Sequence, residues 1–223
     1  MNMIIVKQPE FENDDYLFRI EAHKLPKAGE ALSFLKKIDP FAADYYWSKR
    51  QAFLTQDTNP NVFSKFVQDK PSLRSLSDLD ALDSTIYTVA CERENNLGYR
   101  DILMNLKRHL LQKPETRRCM LRFANSYERY HISESARPLD VTCLSLIHYL
   151  KQGPKLVFRA SDVRNELLVD ILTINEFFID PVYNSNFKNY QMSVYSSTAQ
   201  CVSSWNNFVN LLQRSYSVGG ENR

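Results

Sequence analysis

Val141-Thr-Cys-Leu-Ser-Leu-Ile-His-Tyr-Leu150 is followed by Lys151-Gln-Gly-Pro154, by Lys155-Leu-Val-Phe-Arg-Ala160, and then by a strongly apolar stretch from Val163 to Phe178. Two runs of apolar and β-forming side chains around a Gly153-Pro154 turn predict a hairpin. Val163–Phe178 predicts a helix, with Leu167, Leu168, Ile171, Ile174 and Phe178 directed toward a core. Strands flanking such a helix place the chain in the α+β class, on a mixed or antiparallel sheet covered by helices.

Downstream, Tyr190–Ser196 predicts a strand and Ser204–Leu212 a helix with Trp205, Phe208, Val209 and Leu212 inward. The polar residues 215–223 are expected to form a disordered tail. Upstream, Tyr99–Leu111 carries Ile102, Leu103, Leu106 and Leu110 on one helical face, Pro114 ends it, and Arg118–Phe123 predicts a strand. Ser77–Arg93 also has helical spacing. Met3–Val6 and Tyr16–Ile20 predict strands and Ala28–Ile38 a helix, while Pro26, Pro40, Pro60 and Pro71 punctuate a region whose polar part, Thr55–Ser77, predicts a loop. Residues 1–223 are expected to form one domain.

Composition narrows the function classes. Lys plus Arg number 28 against 26 Asp plus Glu, a net charge of +2, so the basic excess expected of a nonspecific nucleic-acid binder is missing. Tyr127, Tyr130 and Tyr149 do not interleave regularly with basic residues either, and no direct nucleic-acid binding is expected. No long apolar run suggests a membrane span, and Met1–Gln8 lacks the pattern of a signal peptide. Cys91, Cys119, Cys143 and Cys201 are widely spaced and form no CxxC pair. That argues for reduced thiols in a cytoplasm, and against a disulfide frame or a metal site.

Three segments carry chemistry: Lys113-Pro-Glu-Thr-Arg-Arg118, Arg137-Pro-Leu-Asp-Val-Thr-Cys143-Leu, and Phe158-Arg-Ala-Ser-Asp-Val163. Each alone has a plain structural reading. Paired arginines are commonly solvated, a cysteine in an apolar strand is commonly a small core residue, and Ser-Asp before a helix is commonly a cap. In this order and at these distances they resemble the thymidylate synthase superfamily, including its archaeal and phage branches, over roughly residues 97–200. The family pattern is Pro-x-Ser/Thr-Arg-Arg, then Pro-Cys-His or Pro-Cys-Leu at a strand start, then Arg-Ser-x-Asp-Val after a hairpin. Residues 1–75 form a divergent N-terminal part.

The resemblance implies a homodimer packed through its sheet, with arginines of both subunits on a nucleotide 5′-phosphate. Arg117, Arg118 and Arg159 take that role, because guanidinium forks match a phosphate dianion. Ser161, Asp162 and the start of the following helix would add donors or hold the turn. Cys143 would add to C6 of a pyrimidine as a thiolate, its ordinary pKa of about 8.5 depressed by nearby arginines. The implied cofactor is 5,10-methylenetetrahydrofolate.

The base-reading position falls on Asp170, eight residues after Asp162, where the uracil-specific members have asparagine. A carboxylate accepts from the cytosine N4 amine and a carboxylic acid donates to N3. Asp170 therefore favours dCMP, as in the deoxycytidylate hydroxymethylases. The expected activity is hydroxymethyl or methyl transfer to C5, in a bacterium's cytoplasm or that of a phage-infected host, where modified DNA precursors are one use. A dUMP-specific enzyme and a catalytically inactive nucleotide-binding dimer are the alternatives.

The departures from the pattern are specific. The family's sugar-holding His-x-Tyr pair is matched by Gln200 and Val202, of which only Gln200 offers a hydrogen bond. Ala160 and Leu144 replace a serine and a histidine. Glu30, in Glu30-Ala-Leu-Ser-Phe-Leu35, echoes the family's proton-relaying glutamate, with Asp44 as the competing position, and the folate-stacking tryptophan pair is not identifiable.

Overall fold

A computed structural model describes residues 3–26, 28–55, 99–122, 144–164, 166–183 and 186–217. Its strands are β1 (Ile4–Lys7), β2 (Tyr16–Ile20), β3 (Met120–Arg122), β4 (Leu144–His148), β5 (Lys155–Phe158), β6 (Ser161–Asp162), β7 (Met192–Ser196) and β8 (Ala199–Gln200). Six form one mixed sheet in the order β1-β2-β7-β5-β4-β3, and β6 pairs with β8 in a small second sheet. The β5–β7 pair is parallel and every other pair of the large sheet is antiparallel. The helices are α1 (Ala28–Ile38), α2 (Pro40–Thr55), α3 (Tyr99–Gln112), α4 (Leu167–Ile174), α5 (Asp180–Tyr183) and α6 (Trp205–Ser217). The α+β architecture on a mixed sheet is as expected. None of the described helices is long and apolar enough to cross a membrane.

The hairpin forms where predicted, with His148 opposite Lys155 and Ile147 opposite Leu156. Its turn depends on Gly153, whose φ of +135° is closed to side chains, and whose amide donates to Leu150 O at 3.0 Å. A Cβ placed there would lie 1.9 Å from the carbonyl oxygen of Gln191. That close approach lets Gln191 N reach Gln152 O and Ser193 N reach Pro154 O, which seats the hairpin against the chain entering β7.

One face of the sheet carries Tyr16, Phe18, Ile20, Ile147, Leu156, Phe158, Met192 and Val194, all buried. From α6, Trp205 packs at 5.1 Å from Tyr16, and Phe208 at 5.6 Å from Phe18. Tyr149, just beyond β4, stacks on Tyr183 of α5 and donates to Phe178 O at 3.1 Å. Burial pushes the hydroxyls of Tyr149 and Tyr183 well above their ordinary range, so both remain neutral donors.

Two helix boundaries differ from expectation. The helix expected from Val163 begins at Leu167, because Ser161–Asp162 is drawn into pairing with β8 and the following residues turn. Its interior is also interrupted: residues 175–179 form a π-helical turn joining α4 to α5. The last helix continues to Ser217, past the expected start of the tail, and later residues lie outside the described residues. The helix expected at Ser77–Arg93 also lies outside them.

The unanticipated element is α2. Asp39 Oδ1 accepts from the amides of Phe41 (3.0 Å) and Ala42 (3.3 Å), and Pro40 takes the first helical position, where its missing N–H costs nothing. This helix packs on α1 and α4. Tyr46 donates to Glu176 Oε2 at 2.5 Å, and Arg50, one turn further on, donates through Nε to Glu176 Oε1 at 2.9 Å. One carboxylate thereby ties α2 to the π-helical turn. Glu176→Leu is expected to cost about 2–3 kcal/mol, because Tyr46 is fully buried and loses its acceptor while Arg50 keeps some access to water. Glu176→Gln, which retains an amide oxygen for Tyr46, should lose less. Urea unfolding of the two variants measures the difference.

Candidate functional site

The parallel neighbours β5 and β7 end side by side, with Phe158 opposite Ser196, and the loops leaving them carry Arg159–Val163 and Ser197–Cys201. In open parallel sheets ligands bind outside the carboxyl ends of the strands, and β5–β7 is the one parallel pair of the large sheet. These loops are firmly joined. Ser197 N donates to Phe158 O at 3.1 Å and Ser197 Oγ to Arg159 O at 2.5 Å. Ser161 N donates to Thr198 O at 3.0 Å, Asp162 pairs with Gln200, and Val163 N donates to Gln200 O at 3.1 Å. Arg159, Ser161, Asp162 and Gln200 are thus gathered at one end of the sheet.

Their individual settings differ. Arg159 and Gln200 are exposed. Ser161 is only 3% exposed, and its hydroxyl is engaged by Tyr16 Oη at 2.6 Å and by Ser196 Oγ at 3.5 Å, so it braces the loop from within. Asp162 Oδ1 accepts from Arg164 N at 2.8 Å, closing the turn before α4. Val202, the other position matched to the sugar-holding pair, lies in a short 3-10 turn and is half-buried.

Across β5, Phe158 also faces Leu144, the first described residue after Cys143. Cys143 itself, like Arg137 and the intervening residues, lies outside the described residues. Of the cysteines that are described, Cys119 is buried with its thiol toward Leu106 O at 3.9 Å, and Cys201 is half-buried at a left-handed backbone position, φ +57°. Burial pushes both thiols up, and Asp162 adds to the effect at Cys201. Both shifts disfavour the thiolate form.

Asp170 occupies the first turn of α4. Every other residue of that helix is buried, so this carboxyl is its single point of partial exposure. A helix wrapped in apolar contacts admits a carboxyl only where polar groups or solvent reach it.

The paired arginines lie where α3 ends. Thr116 N donates to Lys113 O at 2.9 Å, and Thr116 Oγ1 accepts from Arg118 N at 3.3 Å and also meets His109 Nε2 at 3.3 Å. The turn forms one wall of an open hollow of about 520 Å³ lined by His109, Lys113, Glu115, Thr116 and Arg118. Arg117 and Arg118 are both exposed. Four basic side chains in and beside this hollow suit an anion.

Glu30 is exposed in the first turn of α1, and Asp44 is exposed on α2. The described residues do not assemble an aromatic platform for a folate: Trp205 is 4% exposed within the core, which leaves Trp47, half-exposed beside Arg50.

Several contributors have no distinct signal in the sequence. Tyr16, more than a hundred residues upstream, supports Ser161. Glu12 accepts from Cys201 N at 2.7 Å and from Val202 N at 2.8 Å, fixing the loop that follows β8. No protein-family model and no characterised protein matches the chain.

Proposed function

We propose that this chain is a thymidylate-synthase-like transferase acting at C5 of a pyrimidine nucleoside 5′-monophosphate, with dCMP as its preferred substrate. The observation that carries the reading is the meeting of Arg159 and the Ser197–Gln200 loop at the carboxyl ends of β5 and β7, beside the start of β4. Arg159 would hold the phosphate from one subunit, and Arg117 and Arg118 would reach that of the partner in a homodimer.

Cys143 is the proposed nucleophile. Its thiolate forms the S–C6 bond and the C5=C6 electron pair moves onto C5 and the adjoining ring atoms; C5 would then bond the one-carbon electrophile that the cofactor supplies, and only after that would the proton C5 first carried be lost to solvent or base, leaving its bonding pair. Elimination of the thiolate restores the aromatic ring. The one-carbon donor expected from the resemblance is methylenetetrahydrofolate. The described residues do not form a recognisable site for it, and the chemistry derived from this chain concerns the nucleotide alone.

Asp170 is the proposed base reader. The deciding assay is tritium release from C5-tritiated dCMP and dUMP, with methylenetetrahydrofolate supplied. The wild type is expected to act on dCMP. Asp170→Asn should shift the dCMP-to-dUMP ratio of kcat/KM by at least about a hundredfold, since a hydrogen-bond donor or acceptor left mismatched against the base is strongly rejected. A ratio unchanged in the variant would remove Asp170 from base recognition. No release from either nucleotide, with nucleotide binding intact, would favour the binding-only dimer.

A further inference from the structure

The loop before β2 lies at the same end of the sheet as the candidate site, because Tyr16 at the start of β2 faces Ser196 at the end of β7. Its sequence, Glu10-Phe-Glu-Asn-Asp14, bends back on itself. Asp14 Oδ2 accepts from the amides of Glu10 and Phe11, each at 3.1 Å, and Asn13 takes the left-handed backbone, φ +72°, that asparagine tolerates. The bent loop is joined to the chain on both sides of Gln200. Before it, Asn13 N donates to Ala199 O and Ala199 N to Asp14 O, both at 2.8 Å. After it, the Glu12 carboxylate accepts from Cys201 N at 2.7 Å through one oxygen and from Val202 N at 2.8 Å through the other. Cys201 itself has φ +57°, a conformation that a residue with a Cβ keeps only when its surroundings hold it there.

We infer that Glu12 is a positioning residue for sugar recognition: by fixing the backbone that follows Gln200, it holds the Gln200 carboxamide against a hydroxyl of the nucleotide's sugar. This rests on the nucleotide reading proposed above. Of the four side chains gathered at this end of the sheet, Ser161 is buried and Asp162 closes a turn, which leaves Arg159 and Gln200 exposed. Arg159 suits the phosphate. A neutral carboxamide both donates and accepts, as a hydroxyl does, and so suits the sugar. Gln200 reaches it from a strand of two residues, on a side chain with several rotatable bonds. Such a group discriminates only if its backbone is fixed by its neighbours. The pairing with Asp162 fixes one side, and the next two amides are held by Glu12. Removing that carboxylate leaves both amides without their acceptor and frees Cys201 to leave the left-handed region.

Isothermal titration of the full chain with dCMP and with 2′,3′-dideoxycytidine 5′-monophosphate, which lacks the sugar hydroxyl, tests this. The wild type is expected to bind dCMP at least about tenfold more tightly, since a site built to bond a hydroxyl rejects the analogue without it. Glu12→Ala should reduce that preference to less than about threefold, as should Gln200→Ala, and the double variant should lose nothing further, because the two residues act through one contact. Glu12→Gln keeps the side chain's length but can accept from only one of the two amides. It should show an intermediate preference, and it carries the same test if Glu12→Ala does not fold by circular dichroism. A Glu12 variant that weakens both nucleotides equally and keeps the preference makes Glu12 a support of the fold alone and overturns the inference. Additive losses in the double variant overturn its action through Gln200. A wild type that binds both nucleotides equally well overturns the sugar contact and leaves the nucleotide reading standing. A wild type that binds neither removes that reading and the inference together.

Discussion

Replacing Cys143 by Ala is expected to abolish tritium release from C5 of dCMP, by about a thousandfold or more, while nucleotide affinity changes by less than about threefold. The two effects separate because they rest on different groups. The proposed C6 adduct needs a thiolate, and burial raises the thiol pKa of both described cysteines, Cys119 and Cys201, which disfavours that form. Affinity for the monophosphate would come from Arg159 and the arginine pair, which this substitution leaves in place. Isothermal titration with dCMP alongside the release assay gives both quantities on one preparation. Loss of release with binding retained supports the nucleophile. A wild type that binds dCMP as tightly as the variant and releases nothing identifies a binding protein. Release that survives in Cys143→Ala refutes the assignment.

Gly153→Ala should be the most damaging small substitution in the described part of the chain, lowering stability by about 3 kcal/mol and the melting temperature by about 6–12 °C. The φ of +135° is strained for any side chain, and the added methyl would fall 1.9 Å from Gln191 O, a backbone atom that cannot swing aside. Relief requires moving the β4–β5 turn away from the residues entering β7, which breaks Gln191 N to Gln152 O and Ser193 N to Pro154 O. Gly153→Asn should lose as much, because φ +135° lies outside the left-handed region near +57° that asparagine tolerates and its Cβ meets the same backbone oxygen. An Asn variant much milder than Ala would show that the turn moves to a conformation asparagine adopts and would overturn the close-approach account. Thermal unfolding followed by circular dichroism measures it.

Residues with a local signature were readable from the chain. Tyr16–Ile20 alternates and forms the predicted strand, and Ala28–Ile38 has the predicted helix bounds. Gly153-Pro154 marked the hairpin because few residues tolerate that turn. The clustering of Arg159, Ser161, Asp162 and Gln200 was legible only through the spacing of a motif, which says that residues belong together and not what holds them. Local signals fade where apolar residues run consecutively. Phe41-Ala-Ala-Asp-Tyr-Tyr-Trp47 has no clear helical period, and Pro40 reads as a break until Asp39 is seen capping the helix it begins.

By itself, the sequence determined the α+β class, the position of the hairpin, the apolar helix behind it and the order of the chemical motifs. Each depends on residues close together in the chain, where periodicity, turn preference and spacing express the physics directly. Tertiary structure decided the parallel pairing of β5 with β7, the small β6–β8 sheet that delays the helix to Leu167, and the bracing of Ser161 by Tyr16. It also tied Tyr46 and Arg50 to Glu176. Those outcomes join residues far apart in the chain. They arise only when closing the long loops between them is repaid by burial and hydrogen bonding in the folded core.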